Sequence, residues 1–302
     1  MSLITRRRVI AAKIEATSGT AETLAAGEAN FNAFDPSFVP EIETAQRNAQ
    51  ASLSKLKPVA GSRAGRGSLN CEFLGTEPNW AGVLLPACGF ANSGTGAFTL
   101  SSASANRKTV TIGDYIDGVR YQLAGAAGNL QIEGVVGQRV MGMFNFSGIW
   151  SRSATALLSP TLPSGVPPIL ANATLTIGAT VYQLSRIGIN LNNQVTLRPD
   201  ANAASGIKSA VIVDRDVRVT VDPEASAGKD WFADWYGTPA TAALSLVLTV
   251  GSNTCTIAAP SLAVMDDQPG DRDGIHTEGL EFQATQNSAG DDELTITWAT
   301  SG

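Results

Sequence analysis

Apolar and polar side chains alternate along much of this chain, and where the period changes, so does the element expected. "GSLNCEFLG" (67–75) sets Leu69, Cys71 and Phe73 against Ser68, Asn70 and Glu72, the period of two that marks a strand with one buried face. "EPNWAGVLLPACGF" (77–90) changes to helical spacing: Trp80, Val83, Leu84 and Ala87 share a face, Pro78 suits a first turn and Gly89 a stop, while Pro86 keeps the helix short. Further strands are expected in "FTLSSA", "KTVTIGDYIDG", "VRYQLAGAAG", "LQIEGVVG" and "RVMGMFNFSGIW", with Asp117-Gly118 as a hairpin turn. Upstream, residues 3–15 read as an extended arm entering a Gly-rich loop, and "FDPSFVPEIETAQRN" as a strand broken by Pro36 and Pro40. Residues 49–67 read as a long polar, basic loop.

After a Pro/Ser/Leu segment at 151–170, which reads as a linker, the order recurs. "YQLSRIGINLNNQVTLRP" (182–199) is a strand and 200–210 a polar loop. "VIVDRDVRVTVD" (211–222) reads as one alternating strand, with Arg215 on its Val side near an end or an interface. "AGKDWFADWYG" follows as a short helix, then a hairpin through Gly251-Ser252-Asn253 and two closing strands. In that helix the spacing of Trp231 and Trp235 predicts that both rings enter the core, and Asp230 lies near the favourable end of the helix dipole. The shared order points to internal duplication. The expected fold is mainly β: two similar small β-barrels or β-sandwiches, residues 21–150 and 171–302, each covered by one short helix, with an N-terminal arm at 1–20 and the linker at 151–170.

Composition narrows the chemistry. Charged residues make up only 16% of the 302 residues and the net charge is −6, which argues against binding nucleic acid by phosphate neutralisation. Cys71, Cys88 and Cys255 have no metal-type spacing and read as buried thiols, and His276 has no partner at ligand spacing. "DDQPGDRDG" (266–274) matches a calcium loop at Asp271, Asp273 and Gly274, but Pro269 and Leu280 fall where ligands are needed. No nucleophile motif accompanies them, so no catalytic, metal or cofactor residue is expected, and the chain is not read as an enzyme. The apolar run "VIAA" after the first arginines is far shorter than a signal-peptide core, and no window suits a membrane span; synthesis and use in the cytoplasm are expected.

Three separated stretches, "MSLITRRRVIAAKIEATSGT", "NWAGVLLPACGF" and "SAGDDELTITWA", together resemble the major tail protein, or tail tube protein, of long-tailed non-contractile bacteriophages. That resemblance implies β-barrel domains that assemble into rings, and rings that stack into a hollow tube through which viral DNA passes without specific binding. Duplicated relatives make pseudo-sixfold rings from three subunits and single-domain relatives make hexameric ones; the apparent duplication favours three. The implied partners are further copies of the chain and the tape-measure, tail-terminator and tail-tip proteins. Glu41, Glu43, Glu72, Asp214, Asp216 and Glu281, with Ser68, Asn70 and Gln283, are candidates for a DNA-repelling lumen face. Arg6, Arg7, Arg8, Lys55, Lys57, Arg63, Arg66 and Lys208 are candidates for ring-to-ring contact, and Trp80, Trp231 and Trp235 for helix packing. The alternative is a carbohydrate-binding or adhesive β-sandwich that uses the rings of 231–236 to stack sugars.

Overall fold

A computed structural model describes residues 3–171, 173–178, 180–236, 240–288 and 290–299. In the first half, β1 (Arg8–Ile14), β2 (Phe34–Glu41), β3 (Thr44–Asn48), β4 (Lys55–Ala60) and β5 (Ala64–Glu72) precede the helix α1 (Ala81–Ala87). Then come β6 (Phe90–Asn92), β7 (Ala97–Leu100), β8 (Val110–Ile116), β9 (Val119–Val135) and β10 (Met141–Ala154). The second half opens with β11 (Thr174–Ile177), β12 (Thr180–Val181), β13 (Arg186–Asn190), β14 (Gln194–Pro199), β15 (Ile207–Asp214) and β16 (Arg218–Val221). It continues with α2 (Trp231–Tyr236), β17 (Thr241–Val250), β18 (Asn253–Arg272), β19 (Ile275–Ala284) and β20 (Thr295–Ala299).

The fold is mainly β, as the alternation predicted. Among the described residues 16 strands form one sheet, whose main path runs β12-β11-β17-β18-β19-β16-β13-β9-β10-β5-β2. Both halves contribute to it: β9 pairs antiparallel with β13, and β20 pairs with β18 on one side and β7 on the other. The halves also repeat one manoeuvre. A strand leaves the sheet, forms a two-stranded hairpin outside it, and returns as the antiparallel neighbour of the strand that left: β2, then β3–β4, then β5; and β13, then β14–β15, then β16.

One large apolar cluster runs through both halves, beside a small second one of Ala11, Leu24, Ala29 and Tyr115. The Trp80 ring meets Phe73, Phe144 and Trp298 at centroid distances of 5.3, 5.4 and 6.1 Å. The Trp80 and Trp298 indole N–H groups are satisfied by the carbonyls of Glu72 and Leu74, as buried indoles require. Trp298 enters from β20, so the closing "DELTITWA" stretch is a strap that plants a second-half ring in the first-half core. Cys71, Cys88 and Cys255 are buried, and desolvation pushes all three thiols up.

Several expectations change. "YQLSRIGINLNNQVTLRP", expected as one strand, is two: β13 in the main sheet and β14 outside it. Residues 8–14, read as arm, form β1, paired with β8 from Arg8↔Ile116 to Ile14↔Val110 and burying Ala11 and Ala12; the chain is anchored there by a ladder that small side chains do not advertise. Residues 49–67 are no structureless loop, because 55–60 is β4 and 64–67 opens β5. All of β3 and β4 is exposed, so no buried face imposes a period on its sequence. "VIVDRDVRVTVD" is two strands, not one: β15 ends at Asp214 and β16 begins at Arg218. Arg215 makes the break, turning inward to Asp291 at 2.6 Å and Glu293 at 3.1 Å. Finally, residues 151–154 of the expected linker continue β10.

Candidate lumen wall and assembly surfaces

The sheet has one face on the core and one open face, and the register aligns the open positions into rows. Asn70, Met143, Gln131, Asn190, Arg218 and Gln283 lie side by side across β5, β10, β9, β13, β16 and β19. Glu72, Met141, Glu133, Gly188, Thr220 and Glu281 form the adjacent row. None of these twelve is buried. The amides link neighbouring strands and loops: Asn129 Nδ2 donates to Asn190 Oδ1 at 2.8 Å, and Gln283 Nε2 to Asp216 Oδ1 at 2.7 Å.

The charge on this face differs from the acidic wall expected. Glu72 pairs with Arg139 at 2.5 Å, while Arg218 holds both Asp216 at 2.7 Å and Glu281 at 3.2 Å. The Arg218 guanidinium keeps the Asp216 carboxyl below the ordinary carboxylate range, with Gln283 adding to it. Glu41, at the β2 edge, pairs with Arg66 at 2.8 Å. Glu43 lies at the base of the β3–β4 hairpin, and Asp214 is exposed at the end of β15, off the main sheet. The strand split at Arg215 separates Asp214 from Asp216. What remains is an amide-rich face whose carboxylates are largely matched by arginines.

The basic candidates also divide. Arg8 is committed internally: its guanidinium holds buried Asp114 through two hydrogen bonds of 2.6 Å. Burial nonetheless raises the Asp114 carboxyl, against the lowering by Arg8. Arg7 pairs with Asp117 at 2.7 Å, fastening the chain to the β8–β9 turn, and Arg6 is exposed. Lys55 and Lys57 project with β4, Arg63 is exposed at its base, and Lys208 is exposed on β15. The segment 200–210 is not a second free protrusion. Its Ser205 carbonyl accepts the Arg63 N–H at 2.9 Å, so it supports the foot of the β3–β4 hairpin.

Two glycines allow that arrangement. Gly19, at φ +85°, lies where an added Cβ would come within 1.8 Å of the Lys208 carbonyl oxygen; Gly125, at φ +58°, lies where one would stand 3.1 Å from Ser209 Cα. Buried Glu15 locks both. Its carboxylate accepts the Gly19 and Gly125 N–H groups at 2.8 and 2.6 Å and the Thr109 and Thr111 hydroxyls at 2.7 Å each. Sequence reasoning missed Glu15 as a node, although "EATSGT" carries it; Gly19 is local, but its other three partners lie 94 to 110 residues away.

Of the helix-packing residues, Trp80 and Trp231 are both 2% exposed. Trp231 packs against Phe282 and Tyr182 at 5.7 and 5.6 Å. Trp235 does not join it: at 39% exposed it stacks edge-on with Phe232, which is itself 56% exposed. Trp231 is the one buried residue of this six-residue helix, so Phe232, Trp235 and Tyr236 carry their rings toward solvent.

A family model described as phage tail tube protein matches residues 5–298. The chain belongs to the phage tail tube protein family. No curated protein matches it. Family membership makes it a structural protein of the virion tail that assembles with other tail proteins into a tube. Among the described residues no helix is long and apolar enough to cross a membrane.

Proposed function

We propose that this tail tube protein forms stacked rings around a channel that conducts the viral genome during ejection, with the amide-rich sheet face as the channel wall. The observation that carries the reading is the unbroken pair of open rows from β5 to β19, which crosses the junction between the two halves. Such a wall presents carboxamides and neutralised carboxylates to the phosphates, so it offers DNA few fixed cations to release counterions against. The two ends of the main strand path, β2 and β12, are the edges at which neighbouring copies meet; pairing there removes exposed edge strands.

The repeated departure and return of a strand around a hairpin supports two tail-tube units, 21–150 and 171–302, and hence rings of three subunits with pseudo-sixfold symmetry. The β3–β4 hairpin is the element for contact with the next ring, through Lys55, Lys57 and the tip. Assembly in the host cytoplasm and contacts with tape-measure, terminator and tip proteins complete the reading. Concentrated purified protein viewed by negative-stain electron microscopy tests it: hollow tubes are expected, with three subunits per ring in end-on class averages. Six subunits per ring would remove the duplication argument, and persistent monomers would remove the tube.

A further inference from the structure

Two hairpins leave the main sheet at opposite ends. The register fixes this: β3–β4 projects beyond Glu41 and Ala64, the end at which Ile149 pairs with Ala64. The β18–β19 turn lies beyond Val135, Arg186, Val221 and Leu280, the other end of the same strands. β3, five residues from Thr44 to Asn48, reaches roughly 16 Å at the usual rise of a strand before the turn adds to it. Residues 44–60 carry Arg47, Lys55 and Lys57 and no acidic residue, and Leu53 at the tip is 103% exposed. None of the three cations has a carboxylate partner among the described residues.

The opposite end is its complement. Asp266, Asp267, Asp271, Asp273 and Glu278 stand on the β18–β19 hairpin, and its one arginine, Arg272, is taken by Asp222 and Glu224. Asp267 lies near Asp230 and Glu278 near Trp231, beside α2, where Phe232, Trp235 and Tyr236 are exposed; alternation along β18 puts Asp271 on the same strand face as Asp267. Asp267 Oδ1 and Glu278 Oε2 are buried without a hydrogen-bond donor. Desolvation, followed by the charges of Asp266 and Asp230, raises the Asp267 carboxyl; desolvation and then Asp267 raise that of Glu278, with His276 opposing both. Lys229, also on this surface, pairs with Asp234 and lies 4.4 Å over the Trp231 ring, so the cations here are already taken while aromatic rings stand in water.

We infer that the β3–β4 hairpin of one copy docks on the α2 and β18–β19 surface of the next, with Lys55 and Lys57 meeting Asp267, Asp271 and Glu278, and Leu53 meeting the rings of Phe232 and Tyr236. Two different patches at opposite ends make a head-to-tail contact, which propagates without closing, as a growing tube requires. The inference rests on the tube reading and names the surface that receives the hairpin.

Charge exchange tests it. Lys55→Glu with Lys57→Glu, and separately Asp267→Lys with Asp271→Lys, are each expected to raise the critical concentration for tubes about tenfold or more, since like charges then face each other. The chain carrying all four substitutions is expected to regain tubes. Should the acidic-end variant fold poorly by circular dichroism, Phe232→Ser with Tyr236→Ser is the second variant, expected to weaken tubes without lowering the melting temperature. A photo-crosslinker at Leu53 should capture residues 228–236 or 265–279 of another copy. Tubes that persist in the acidic-end and aromatic variants, while the hairpin variant loses them, overturn the receiving surface and leave the hairpin's role intact. Tubes that persist in the hairpin variant overturn both, and wild-type protein that never polymerises overturns the tube itself.

Discussion

The β3–β4 and β14–β15 hairpins occupy the same place in the two halves and have opposite fates. β14–β15 folds back over β9 and β10, burying Ile207, Ser209 and Ala210, and its segment 200–210 braces the foot of the other hairpin. β3–β4 buries nothing. An isolated two-stranded ribbon is marginal in water, so a hairpin held this way has its stabilising surface elsewhere. One hairpin is spent on the fold and the other is left free, the one that the proposed tube uses for assembly. The difference lies in what each meets: the small-residue run "AGAAG" on β9, with Gly19, admits β15, whereas β3–β4 finds no matching bed on its own chain.

The largest expected effects fall on the docked hairpin. Gly19→Val pushes a side chain into the Lys208 carbonyl at a positive φ, and Glu15→Ala leaves four donors unsatisfied; each is expected to cost about 4 kcal/mol or to prevent folding, read by chemical denaturation. Trp80→Ala is expected to cost about 4 kcal/mol, against under about 1 kcal/mol for Trp235→Ala, since only the first ring fills the core. Replacing residues 44–60 by a short turn should change stability by less than about 1 kcal/mol while abolishing tubes, the reverse of shortening β14–β15. The smallest effect belongs to Asp216, at the exit of the docked hairpin. Its lowered folded value means that its contribution is present above the ordinary carboxylate range and is lost as pH falls through that lowered value. Asp216→Asn should flatten that acid limb by about 0.5 kcal/mol, the scale of an exposed ion pair.

The one-sided strands were legible because burial imprints a period of two: β5 and both short helices lie where their patterns put them. The free hairpin was not, because side chains that touch nothing carry no period. The break at Arg215 was hidden for the opposite reason, since Val211 to Val219 alternate through a change of sheet that only Asp291 and Glu293 explain. Acidic residues on the open face were readable, but their neutralisation was not: Arg139 and Arg218 reach them across strands, and cross-strand register is absent from a one-dimensional pattern.

Central to the account is the open face of the sheet as the inner wall of a tube. A cryo-electron microscopy reconstruction of tubes formed by the purified chain tests that most directly. Asn70, Gln131, Asn190, Arg218 and Gln283 are expected to line the channel, with the β3–β4 hairpin crossing to the next ring. A reconstruction with that row on the outside, or buried between subunits, would contradict it.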